Sequence, residues 1–415
     1  MGESKSHVGA AMVFCAAVLV ALKGRKKADR NGSGIKALSS NQNLRSLDGS
    51  PSNSDGNWRP HEHEGKMAKR MLSAEGDYEE DKEERNKVVV KVPATTANLG
   101  PGYDSIGMAV NMWSEYTIER SDKFEVICIG EGADDMPLDD TNLVCFGVKS
   151  AFKVAKKPVP TLKYTLINRI PYARGLGSSS AAIVGGLIAG LVLAGHRVPT
   201  WGSEELINMA CEIEGHPDNV APALYGGIQI GIHTDRWLTE RVNLPPGLQC
   251  VCFIPNVIGK TSTARGVLSD TISREEAVFN IGRIAFLINA LASNNIDNLR
   301  WGAEDALHQP QRGAAVYPHM SPVIEAAIEA GASAAYLSGA GPTIMAITSG
   351  ASGDIFTQRE KERVDKKVAE AMLAAASACE VPGEVFISEP VETGAYVVSA
   401  EPPFTKGLVR YRGDV

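Results

Sequence analysis

The chain has 415 residues, 44% hydrophobic and 22% charged, with 41 glycines, 22 prolines and a formal net charge of −7. That length suits roughly two or three domains of ordinary size, each able to bury its own core. The hydrophobic fraction excludes a wholly disordered chain, unperiodic glycine excludes collagen, and the acidic balance argues against a protein built to wrap nucleic acid.

The first 86 residues carry 14 basic and 13 acidic side chains, so the acidic excess belongs to residues 87–415. Val8–Leu22 is an apolar run followed at once by Lys23, Arg25, Lys26 and Lys27. As a helix rising ~1.5 Å per residue it falls short of a ~30 Å hydrocarbon core. It suits a signal-type segment, a short anchor or part of an organelle-targeting sequence, so plastid or other organelle and cytoplasm both stay open. Met1-Gly2-Glu3-Ser4-Lys5-Ser6 also fits the myristoylation pattern, which is common by chance. Residues 31–57 are rich in Ser, Asn, Gly and Asp, and the charge run Glu75–Arg85 reads as a solvated linker. A start assigned too far upstream of Met67 or Met71 is the rival to targeting.

The folded part opens on a strand, Val88–Val92, expected to break at Pro93. The segment PATTANLGPGYDSIG (93–107) then mixes hydroxyls, an amide, a carboxylate and three glycines, more than a turn needs. Thr161–Ile170 has strand composition and Pro171 stops it. Arg174-Gly175-Leu176-Gly177-Ser178-Ser179-Ser180 leads into a small, apolar helix over Ala181–Ala194. A glycine-rich loop set on a helix N-terminus receives anions, and a first-turn serine hydroxyl can ligate Mg²⁺. The loop is not a Walker A motif: the only GK[ST] is Gly259-Lys260-Thr261, and Ile254 fills the required earlier glycine position. It is not a dinucleotide fingerprint either.

A helix from about Ser203 ends in Glu212-Ile213-Glu214-Gly215-His216-Pro217-Asp218-Asn219. Glu212 and Asp218 are expected to face one pocket from this helix and the following loop. Phosphoryl transfer wants such a pair, one acid for Mg²⁺ and one to orient the attacking hydroxyl. His216 has no second His or Cys at ligand spacing and reads as structural or substrate-adjacent. Arg265 and Arg312 each sit beside polar neighbours and are natural partners for a carboxylate or phosphate. Tyr336–Thr343 reads as a strand-to-helix glycine turn. Seven cysteines from Cys15 to Cys379 form no C-x-x-C motif, and reduced thiols are expected.

The segments PATTANLGPGYDSIG, RGLGSSSAA, EGHPDNVAPALYGG and LSGAGPT resemble the GHMP small-molecule kinases, and among them the homoserine kinase family. Galactokinases and mevalonate kinases carry a glycine–glutamate–histidine pattern where this chain has Asn98–Asp104. The resemblance covers about residues 87–400 and implies a two-domain α+β fold. An N-terminal ATP-binding domain with a left-handed βαβ unit would span 87–243 and a ferredoxin-like domain 244–415, with the active site between them. Residues 1–86 would stand outside as a disordered or targeting-like extension.

The implied reaction is ATP-dependent, Mg²⁺-assisted phosphorylation of L-homoserine to O-phospho-L-homoserine for threonine synthesis. A homodimer, no nucleic acid partner and folded domains off the membrane are also implied. By the resemblance Asn98 and Asp104 contact homoserine, Asp104 taking its ammonium, while Arg265 and Arg312 hold its carboxylate. Thr261 lies near the transferred phosphate, Asp218 is the catalytic aspartate and Asn219 lies close to the substrate hydroxyl. Residues 174–180 cradle the phosphates, Ser179 and Glu212 hold Mg²⁺, and Asn142 lies near the adenine. Ser180 stays an alternative to Ser179, and Glu214 to Glu212. The rival readings are a GHMP kinase for another small alcohol and a GHMP-fold sensor without turnover.

Overall fold

The computed structural model describes residues 83–196, 204–349 and 363–404, and the expectations for the N-terminal apolar run lie outside these. Strand β1 (Lys87–Ala97) alternates buried Val88, Val90 and Val92 with half-exposed Lys87 and Lys91, the period-2 pattern of a strand covering a core. It does not break at Pro93. The strand runs on, with a register shift between Pro93 and Ala94, and such an irregularity accommodates a residue that has no N–H to give the ladder.

The long β2 (Ile106–Arg120) pairs antiparallel with β1 along its length. Its C-terminal half takes β4 (Leu162–Asn168) and its beginning takes β5 (Ile228–His233). β3 (Glu125–Gly130) lies parallel to β4, and the two are joined through α1 (Leu143–Val154), a βαβ crossover. β6 (Trp237–Val242) completes a hairpin on β5, and β11 (Tyr396–Glu401) pairs with the free edge of β1, making seven strands.

Helix α2 (Ser178–Leu193) lies on this sheet and packs on β1, α1, α3 (Glu204–Glu214) and α4 (Pro217–Tyr225). Beyond its opening serines its residues are apolar on every side, which suits a helix whose body has no water-facing stripe.

The second sheet has β7 (Gln249–Pro255), β8 (Ala334–Leu337), β9 (Ile344–Thr348) and β10 (Gly383–Ser388) in the order β10-β7-β9-β8, every pair antiparallel. Numbered in chain order this is 4-1-3-2, the ferredoxin-like arrangement. Cys250, Cys252 and Ile254 face the core shared with the first sheet, whereas Val251 and Phe253 face α9 (Met320–Glu329) and α10 (Val364–Ala378).

The expected strand-to-helix turn at Tyr336–Thr343 is instead the link of a β-hairpin. The β-branched Ile344, Ile347 and Thr348 continue as strand β9, wholly buried. The expected division near residue 243 falls between β6 and β7, and the chain end returns across it as β11. The six described cysteines are all free thiols. Among the described residues no helix is long and apolar enough to cross a membrane.

Candidate active site

The loop 173–177 is pinned from three directions. Thr95 N–H donates to Leu176 O (3.1 Å), Ser338 Oγ to Gly175 O (2.7 Å) and Gly259 N–H to Ala173 O (2.9 Å). These bonds gather the end of β1, the turn between β8 and β9 and the segment before α5 (Thr261–Gly266) around one cavity of about 340 Å³.

Gly177 caps α2 with φ +72, and a Cβ there would lie 1.9 Å from Thr95 Oγ1, so only glycine fits. It offers no side-chain cap, and α2 has no acidic residue in its first turn. The helix thus presents unsatisfied N–H groups and the positive end of its dipole beside Ser178 and Ser179, which line the cavity. Arg174 also lines it, with Nε buried and without a hydrogen-bond partner. An anion such as a nucleotide phosphate fits this donor set. Leu176 instead points into the hydrophobic core, and Ser180 is fully buried behind Ser179.

Ser179 Oγ donates to Glu214 Oε1 (2.6 Å) and Ser180 Oγ reaches the same oxygen (3.0 Å). The acid brought to the glycine loop is therefore Glu214 rather than the expected Glu212. Two residues along an α-helix turn the side chain by about 200°, so Glu212 and Glu214 leave α3 in nearly opposite directions. Glu214 lines the cavity and Glu212 does not. A hydroxyl and a carboxylate side by side are hard oxygen donors that suit Mg²⁺, which takes one or two protein ligands and completes its shell with phosphate and water.

Asp218 sits in the first turn of α4 rather than in a loop, because α4 starts at Pro217, a residue suited to that position. It is 3% exposed. Gly107 on β2 allows this approach, since a Cβ there would lie 1.7 Å from Asp218 O. Asp218 Oδ1 accepts from His216 Nδ1 (2.5 Å) and from Asn219 N–H (3.0 Å), while Asn219 Oδ1 accepts from Thr95 Oγ1 (2.8 Å). Burial pushes the two groups toward neutrality, but their mutual attraction prevails. The Asp218 carboxyl is held below its ordinary range, and the His216 imidazole is raised to about 9 by Asp218, with help from Glu214 and Asp104.

Asp104 and Arg265 form a bidentate pair (2.8 and 2.9 Å), and Arg265 Nη1 also donates to Tyr103 Oη (2.9 Å). Burial works against the Arg265 charge, and Asp104 more than restores it. Asn98 ties its own loop to the turn between β8 and β9: Oδ1 accepts from Asp104 N–H and Nδ2 donates to Gly339 O, both at 2.9 Å. Arg312, on α8 (Gln309–Ala315), is 1% exposed yet lines the cavity, and Thr261 lines it from the start of α5. Asn142 caps α1, accepting from Val144 N–H (3.0 Å), and also lines the cavity.

Asp104, His216 and Asp218 place potential ligand atoms within 4.8 Å of one another. A protonated His216 and an Asp104 already clasped by Arg265 make this an ion-pair cluster rather than a metal centre. Sequence reasoning missed Tyr103 and His308. Tyr103 stood unremarked inside the first motif, and His308 carried only its i,i+4 spacing to Arg312 as a signal.

Family models for the GHMP kinases N terminal domain and the GHMP kinases C terminal region match residues 143–227 and 287–377. Homoserine kinase from Moorella thermoacetica is 45% identical over 264 residues, 63% of this chain and 88% of the relative. Homoserine kinase from Carboxydothermus hydrogenoformans is 39% identical over 329 residues, 79% of this chain and 99% of the relative. The crystal structure of homoserine kinase from Cytophaga hutchinsonii superposes with a TM-score of 0.66 at 26% identity, covering 76% of this chain and 98% of that one. Mevalonate diphosphate decarboxylase from Staphylococcus aureus shares the fold alone, with a TM-score of 0.54 at 12% identity and coverage of 76% and 98%. Matched in both halves and along nearly the whole length of such relatives, the chain belongs to the homoserine kinase family of the GHMP kinases.

Proposed function

We propose that this chain transfers the γ-phosphoryl group of ATP to the side-chain hydroxyl of L-homoserine, giving O-phospho-L-homoserine for threonine synthesis. The observation that carries the reading is one cavity holding an anion-receptive helix N-terminus together with Asp104, Arg265 and Arg312. Homoserine is a small zwitterion, and an acid with two guanidinium groups receives its ammonium and carboxylate. Asp104 and Arg265 hold each other in the free protein, so an entering zwitterion exchanges one internal ion pair for two pairs of its own. Arg312 adds a buried positive charge for the carboxylate.

The chemistry then rests on alignment. Phosphoryl transfer through a loose transition state asks chiefly for an in-line hydroxyl and for charge neutralised on the phosphate. Ser178, Ser179 and the N–H groups of α2 hold the phosphates, with Arg174 beside them, and Thr261 stands near the transferred group. Ser179 and Glu214 are the residues that would hold Mg²⁺, which supplies charge neutralisation when bound. Asp218 with its depressed pKa is a weak proton acceptor but a good hydrogen-bond acceptor. It orients the hydroxyl, steadied by His216, and Asn219 fixes the same corner through Thr95. Asn142 belongs to the adenine end, and Asn98 acts by shaping the loop that presents Asp104. Residues 87–243 supply most of the ATP side together with Asp104 and Asp218, and the segment after β6 supplies Arg265 and Arg312. The reading includes a homodimer, checked by sedimentation.

The test is coupled ADP release with homoserine, shikimate, mevalonate and galactose. Turnover confined to homoserine is expected, and turnover of another alcohol without homoserine overturns the assignment. Arg265→Leu is expected to raise the homoserine KM by about tenfold or more, the loss of charged hydrogen bonds, with a smaller effect on the ATP KM. An unchanged homoserine KM would remove Arg265 from the substrate site.

A further inference from the structure

We infer that His308 is a positioning residue: as a neutral imidazole it fixes Arg312 and ties it to the loop that carries Asp104, setting the spacing between the receptors for carboxylate and ammonium. The inference rests on the substrate assignment above.

Arg312 differs from Arg265 in its partners. Its hydrogen bonds go only to neutral acceptors, Nε to Ala264 O (3.0 Å) and Nη1 to Gly339 O (3.1 Å) and His308 Nδ1 (3.0 Å). Nη2 has no protein hydrogen-bond partner among the described residues. Burial, with Arg265 as a like-charged neighbour, draws its pKa below the ordinary arginine value. A buried guanidinium without a carboxylate is costly unless a ligand supplies one. The charge is thus reserved for an incoming anion, and its position depends on three uncharged contacts.

Of those three, only the contact to His308 is a side chain. His308 is the residue before α8, and its carbonyl accepts from Arg312 N–H (3.0 Å), so the two side chains rise from adjacent turns. It is wholly buried. Its Nε2–H donates to Gly100 O (2.8 Å), which leaves Nδ1 as the lone pair facing Arg312. Gly100 belongs to the loop of Asn98, Tyr103 and Asp104. The Tyr103 ring packs against His308, tilted by 35° with centroids 5.4 Å apart, and lies under both guanidinium groups. One imidazole therefore bridges the two halves of the substrate site.

The charged groups facing it agree with a neutral ring. Asp305 Oδ2 lies 3.5 Å from Nε2, but that carboxylate is already taken by the N–H groups of Leu307, His308 and Gln309 and by Asn280 Nδ2. On the other side Arg312 opposes a second positive charge, and Asp104 is occupied by Arg265. Burial lowers the imidazole pKa, with Asp305 working against that shift. A protonated ring would have no acceptor for Arg312 and would repel it.

His308→Asn keeps an acceptor near the place of Nδ1, whereas His308→Gln keeps only a donor near that of Nε2. The Gln variant is expected to raise the homoserine KM by about tenfold, with kcat and the ATP KM changed less than about threefold. The Asn variant keeps the contact to Arg312 and loses only the tie to Gly100, so it is expected to raise the homoserine KM by a smaller factor of about threefold with kcat and the ATP KM unchanged, although both variants lower the melting temperature. An unchanged homoserine KM in the Gln variant overturns the inference. So does a parallel rise of both KM values in both variants, which would mark a merely structural role. Should the Gln variant fail to fold, a homoserine KM raised alone in the Asn variant upholds the inference, and a parental value or a parallel rise of both KM values overturns it. A parent without homoserine turnover would instead sink the substrate assignment.

Discussion

Glu214→Gln is expected to lower kcat by roughly 10²–10³-fold and to raise the Mg²⁺ concentration needed for half activity, whereas Glu212→Gln should stay within about threefold of the parent. The contrast follows from the direction in which each side chain leaves α3. Glu214 meets Ser179 and Ser180 at the head of α2, while Glu212 does not line the cavity. Removing the Glu214 charge leaves the serine hydroxyls an uncharged partner and takes a hard anionic donor from the phosphate loop. Steady-state rates across a Mg²⁺ titration measure both variants. Loss of activity in Glu212→Gln, with Glu214→Gln unaffected, would move the ligand back along the helix.

This pair of acids marks where sequence reading loses resolution. The glycine loop at the head of α2 was legible because its demands are local: Gly177 must adopt φ +72 beside Thr95, and an uncharged first turn must follow. The strand at Val88, the strand ending before Pro171 and the helix after Ser178 were legible for the same reason, a short-range pattern of apolar residues closed by a breaker. Choosing between Glu212 and Glu214 depends instead on helical phase against a distant loop, which one sequence does not carry.

Pro93 misled in the opposite sense. A breaker read locally was overruled by a register shift against β2, an irregularity that only the partner strand explains. The turn at Tyr336–Thr343 was seen but its successor was not, because a short run such as Ile344–Thr348 fits a buried strand or a buried helix equally well. His308 and Tyr103 were invisible for a further reason. Their roles lie in contacts with Arg312 and Arg265, more than 160 residues from Tyr103 in the case of Arg265.

Asp218→Asn is expected to lower kcat by about 10²–10³-fold while leaving the ATP KM nearly unchanged, because in the proposed mechanism the lost charge acts on the reacting hydroxyl rather than on the nucleotide. The same substitution removes the counter-ion of His216, and pH separates the two consequences. In the parent the His216 pKa is raised from 6.5 to about 9. Its contribution to stability is therefore complete below pH about 6.5 and is lost as the pH rises through about 9. The Asp218 pKa is lowered from 3.8, so its share is present above that pH and is lost as the pH falls through the depressed value. At neutral pH both charges are formed, and breaking the buried pair costs on the order of 3 kcal/mol. The Asn variant should thus melt well below the parent at pH 7, and the gap should narrow at pH 10, where the parent has already lost the His216 charge. Melting curves at the two pH values and kcat at saturating substrates check the two halves separately. A gap that persists at pH 10 means that the ion pair is not its source. A parental kcat would place the reacting hydroxyl out of reach of Asp218.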